Sequence, residues 1–244
     1  MNISSKLDQL HLEAKRNVWF HYFAIFLRLA LAFGFITSGM VKIMGERFAS
    51  GLSVNHPMGQ YLEALHHTGF YYPFIGVLQV MAAILLLIPR TVILGALLYF
   101  PIILNICVLS YAVRFEGSIL TSPLMLLGCL YLIFWNYDKI KYILPFDQSI
   151  VPNPIPTPKN LDKKFPTKFF LGVVATVVAI ILCIRFGFDI MPRNSLRDCN
   201  SGFVGTNRTK AGARFCDCIH KQGRPLDSCL REYHKAPDDT SRVK

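Results

Sequence analysis

The 244-residue chain is 52% hydrophobic and only 17% charged, with mean hydropathy +0.38 and a formal net charge of +11. An ordinary soluble domain carries nearer a quarter charged residues, so this composition excludes wholesale disorder and argues against a water-soluble fold. The positive charge would suit nucleic acid, but basic residues that gather beside apolar runs are membrane-topology signals, and no nucleic-acid partner is expected.

Residues 1–17 read as a cytoplasmic lead-in of amphipathic character, with Leu7, Leu10 and Leu12 among polar neighbours. Five apolar stretches follow: Val18–Met44, Tyr71–Ile88, Val92–Val113, Ile119–Trp135 and Phe169–Phe188. Each meets the roughly 17–25 helical residues needed to cross a hydrocarbon core. The fourth is the shortest and holds Pro123 near its start, where the first helical turn tolerates proline. The first run starts late, is long and lacks a small-residue cleavage site, so it reads as a retained span and not a signal peptide. In the intervening loop, Tyr61, Leu62 and Leu65 at helical spacing predict a short helix lying on the outer surface.

Charge then orients the chain. Lys6, Lys15, Arg16, Arg90, Lys139, Lys141, Lys159, Lys163, Lys164 and Lys168 fall on one side of a five-span weave, against Lys42, Arg47 and Arg114 on the other. The positive-inside rule places the N-terminus in the cytoplasm and the C-terminus outside. The expected organisation is an all-α membrane protein. A four-helix transmembrane bundle occupies 18–145, and a Pro-rich cytoplasmic linker 146–168. A fifth transmembrane helix occupies 169–188, and a small disulfide-stapled extracytoplasmic tail 189–244.

Cys199, Cys216, Cys218 and Cys229 all lie in that tail, an even set where disulfides persist. Bridging Cys216 to Cys218 would need a strained small ring, which leaves 199–216 with 218–229, or 199–218 with 216–229. A C-x-C pair could instead exchange disulfides with a partner. Cys107, Cys129 and Cys183 lie in spans and read as apolar filler.

Arg28 sits ten residues into the first span, about 15 Å at the helical rise, near the middle of the membrane. Such an arginine faces an interior, water or a ligand unless it snorkels. Gln79 and Asn105 would join it in a polar cluster, with Lys42 towards the outer end of the same span. Pro101, one turn before Asn105, removes a backbone donor and frees a carbonyl near Leu97. The alternative is polar packing glue between spans. Gly34, Ser38 and Gly39 give the first span a small-residue face for close helix contact. Glu63, His66 and His67 share one helical face, with His56 upstream, and are weak metal candidates; no complete metal, flavin or haem motif is present.

The stretch RLALAFGFITSGMVKIMG (Arg28–Gly45) resembles the opening helix of the DoxX-like family of small membrane proteins, with Arg28, Gly39 and Lys42 in the matching places. Tyr61–Leu65, Gly76–Arg90 and Pro101–Gly117 continue the likeness, which spans about residues 20–140. The chain departs from the family at Gln79, where many relatives carry glutamate. The resemblance implies a four-helix bundle of the bacterial inner (plasma) membrane associated with redox enzymes, some relatives being the small subunit of a thiosulfate:quinone oxidoreductase. Three functions follow as expectations. The first is an accessory subunit of a membrane redox system that binds quinone or lipid through Arg28, Gln79, Asn105 and Lys42. The second is a non-enzymatic assembly subunit docking other membrane or periplasmic proteins through its tail. The third is a thiol–disulfide relay at Cys216 and Cys218. An accessory role is favoured over a self-sufficient enzyme.

Overall fold

The computed structural model describes residues 3–140 and 161–239, so most of the Pro-rich linker lies outside the described residues. Eleven helices are formed in the described chain: α1 (Ile3–Arg16), α2 (Val18–Ile43), α3 (Pro57–His66), α4 (Tyr71–Leu87), α5 (Val92–Ala112), α6 (Thr121–Trp135), α7 (Tyr137–Ile140), α8 (Thr167–Gly187), α9 (Leu196–Ser201), α10 (Thr209–His220) and α11 (Leu226–Lys235).

Three described helices, α2, α5 and α8, are long and apolar enough to cross a membrane, and the pair α3 and α4, bent by 99°, would make a fourth. At 1.5 Å per residue, α5 and α8 span about 31 Å, which matches a hydrocarbon core. The five-span expectation is therefore met only in part. α4 has 17 residues and α6 only 15, or about 25 and 22 Å of helix. The fourth apolar run is shortened because Ile119 and Leu120 form a turn ahead of Thr121, with Pro123 inside the first helical turn.

Local chemistry sets the helix ends. α3 begins at Pro57, where the missing N–H costs nothing, behind His56, whose Nδ1 accepts from the Met58 N–H. After α3, Gly69 takes φ +64°, a left-handed conformation that glycine adopts without steric cost, and the chain turns into α4. α5 runs through Pro101 without ending.

The chain divides into two compact units, each gathering three stretches: 1–37, 78–103 and 124–179 in the first; 38–77, 104–123 and 180–244 in the second. In the first, Phe35 of α2 stacks on Tyr99 of α5, and the Tyr99 hydroxyl donates to the Leu31 carbonyl at 3.4 Å. Ala82, Ala83, Leu86 and Ala96 are fully buried. A Cβ at Gly95 would come within 2.7 Å of the Leu86 nitrogen, so small residues set the close approach of α4 and α5. Gly34 packs against Met125 in the same way. α8 has no buried residue; its first turns make aromatic contacts, Phe169 with Phe20 at 4.6 Å and Phe170 with Phe23 at 5.6 Å.

In the second unit, α9, α10 and α11 enclose a core of Cys199, Phe203, Phe215, Ile219, Leu226 and Leu230. Two disulfides, Cys199–Cys216 and Cys218–Cys229, cross it, which decides between the two pairings open from spacing. A second cluster joins Leu52, Met58 and Leu62 to Phe115. The small-residue face of α2 is used here as well: a Cβ on Gly76 would sit 2.6 Å from the Gly39 carbonyl oxygen.

Candidate functional site

The four residues expected to hold a quinone or lipid each have a distinct local environment. Arg28 is half-buried, and its guanidinium is spent on the C-terminal end of α4: Nε donates to the Leu86 carbonyl at 2.7 Å and a terminal nitrogen to Leu87 at 2.6 Å. Those carbonyls lack intrahelical partners at a helix C-terminus, where the macrodipole also favours a cation. Gln79 lies seven residues earlier on α4, about 10 Å along the axis, and so at a different level. It is 1% exposed, and its Oε1 has no hydrogen-bond partner among the described residues. In the second unit, Lys42 is buried; its Nζ donates to the Ser38 carbonyl at 3.0 Å and lies 4.5 Å from the Phe48 ring centroid. Asn105 is exposed. Arg28 thus acts first as a helix cap, a role that spacing alone does not reveal because the carbonyls it meets lie some sixty residues away.

The weak metal candidates are engaged otherwise. Glu63 pairs with Arg47 at 3.3 Å, and His67 Nδ1 meets the Glu63 carbonyl at 2.8 Å. The His66 ring packs edge-on against Tyr72. Among the described residues no group of three His, Cys, Asp or Glu could hold a metal ion.

His56 finds a partner that sequence reasoning missed. Its ring lies 5.8 Å from that of His220 on α10, and both are buried. Burial, reinforced by His220, pushes the His56 imidazole down to about 4. His220 Nε2 donates to the Pro192 carbonyl at 2.8 Å, which leaves Nδ1 buried without a partner among the described residues. Beside this pair, Asn55 donates to the His220 carbonyl at 2.9 Å and Gln60 to the Gly223 carbonyl at 2.8 Å. The first loop is therefore clamped to the stapled tail by side-chain amides and two buried histidines. Arg114 adds a donor to the Ile190 carbonyl at 2.6 Å, and Arg193 pairs with Glu116. Only the run of polar residues around Asn55 hinted at this contact.

All four tail cysteines are paired and at most 3% exposed, so no accessible tail sulfur is available to start a thiol relay. The remaining free thiols are Cys107 and Cys129, buried, and Cys183, exposed on α8.

In the first unit, α1, α2, α6, α7 and α8 surround a cavity of about 350 Å³ whose walls include His11, Tyr131, Trp135, Tyr137 and Phe169. Its rings come from four separate parts of the chain, which is why no local motif announces it.

These features define an all-helical membrane protein carrying a disulfide-stapled tail. No family model matches the chain, and no solved structure matches it. It is 34% identical over 134 residues to the uncharacterized protein YwoB of Bacillus subtilis (strain 168), an alignment covering 50% of this chain and 80% of YwoB. The chain belongs to the YwoB family.

Proposed function

We propose that this protein is a non-enzymatic assembly subunit of a membrane complex, which presents its stapled tail as a rigid docking element for another membrane or extracytoplasmic protein. The observation that carries this reading is the clamp: the tail is cross-linked twice and then tied through Asn55 and Gln60 to the loop around α3. A tail held at a fixed geometry loses little entropy when a partner binds. The reading includes five crossings of a bacterial plasma membrane, with the N-terminus cytoplasmic and the C-terminus outside. It is supported by the distribution of Lys and Arg and by the tail disulfides, which belong in an oxidising compartment. The DoxX-like resemblance, carried by the Arg28–Gly45 motif, remains part of the proposal as the source of the redox-complex context. A quinone or lipid bound at Arg28, Gln79, Asn105 and Lys42 has less support, because the Arg28 donors are already engaged.

Purification in mild detergent, with and without residues 189–244, tests the docking role: partners should be lost on truncation while the membrane part still inserts. Partners unchanged after truncation would refute it. A C-terminal tag protected from external protease in intact spheroplasts would refute the topology.

A further inference from the structure

The cavity at the N-terminal ends of α2 and α8 has three properties that together point to an occupant. Its volume, about 350 Å³, lies within the roughly 300–1,000 Å³ of small-molecule sites. Its walls are almost wholly apolar: Leu10 and Ala14 of α1, Phe20, Tyr131, Trp135 and Phe169. Tyr137, also in the wall, is 8% exposed, and its hydroxyl is buried with no partner among the described residues. That hydroxyl is closed off from water-sized probes, so the cavity offers its occupant apolar contact alone.

Cations lie on the segments that flank this cavity. Lys15, next to Ala14, holds its Nζ 4.2 Å from the Trp135 ring centroid. Arg16, Lys139, Lys163, Lys164 and Lys168 are exposed on the flanking segments, with Glu13 and Asp162 as the exposed acids among them. Asp138 is held by His11 at 3.4 Å. An amphipathic helix, interfacial Trp and Tyr, and a basic rim are the attributes of a site at the level of lipid head groups.

We propose that this cavity binds one anionic phospholipid, with an acyl chain among the aromatic rings and the phosphate near the lysines of the flanking segments. The basic rim selects this occupant over a neutral quinone, whose head would leave those cations unused.

The full-length chain, purified in mild detergent and exposed to an equimolar mixture of phosphatidylglycerol and phosphatidylcholine, should retain one phosphatidylglycerol by native mass spectrometry. Lys139→Gln with Lys168→Gln should reduce that preference by about fivefold for each cation that contributes. Ala14→Phe should abolish retention by filling the cavity. Thermal melting and size-exclusion chromatography of Ala14→Phe beside the wild type guard against a fold defect, and the lysine variants test the proposal independently of it. Equal retention of the two lipids would overturn the proposal, as would wild-type retention in Ala14→Phe. Displacement of the lipid by equimolar decylubiquinone would assign the cavity to a quinone instead.

Discussion

His56 and His220 face each other across 5.8 Å, both buried, although one precedes a short loop helix and the other ends a helix of the distant tail. Protonating His56 places a charge in a buried site beside the His220 ring. In the folded chain His56 is depressed to about 4, whereas an unfolded histidine titrates near 6.5. Between those values the opened state binds more protons, so the clamp is fully stable above about pH 6.5 and weakens as pH falls towards 4, by up to about 3 kcal/mol. Hydrogen exchange in α3 and α10 should accelerate over that window, and His56→Gln should flatten the dependence. A profile in the wild type that is level from pH 7 to 4 would contradict the assignment.

The two disulfides carry a separate expectation. Their sequence separations are 17 and 11 residues, for which loop-closure entropy gives about 3 kcal/mol each. Cys218→Ser with Cys229→Ser should therefore make the tail protease-sensitive at temperatures where the wild type resists. Peptide mapping after alkylation of the native, unreduced protein with a membrane-impermeant reagent should find no label at the four tail cysteines. Label at Cys216 or Cys218 would reopen the thiol relay.

Arg28→Leu should be a folding variant before it is a binding variant. It removes two charge-assisted hydrogen bonds to the end of α4, and the loss should be about 2–3 kcal/mol. Arg28→Lys should recover only part of it, because an ammonium lacks the planar fork that reaches both carbonyls. Thermal melting in detergent, followed by size-exclusion chromatography, would read both. Arg28→Leu melting with the wild type would show that the cap is dispensable.

Gly76→Val tests the contact between α2 and α4. Even a Cβ there would approach the Gly39 carbonyl oxygen to 2.6 Å and Lys42 Cβ to 2.9 Å. Overpacking of this kind costs about 1–3 kcal/mol. The same substitution at Gly172, where nothing lies within 4 Å, should be silent by the same assay.

Much of the molecule was legible in local pattern. The α3 helix in the first loop followed from the spacing of Tyr61, Leu62 and Leu65. The close-packing role of Gly34 and Gly39 followed from small residues on one face of an apolar run. The level of Arg28 was not legible, because an apolar helix says little about which side chains share one: α4 carries the carbonyls that Arg28 caps some two turns beyond Gln79. Asn105 was included for its polarity, and it is exposed.

What residue chemistry alone decided is membrane embedding, helical character and oxidation of the tail, because hydropathy, helical period and cysteine count are properties of short windows. Tertiary structure decided which cysteines pair, that the Arg28 donors are engaged within the fold, that His56 meets His220, and that Tyr137 lines a cavity. Each of these is a contact between segments remote in the chain, and its geometry arises only when the helices pack.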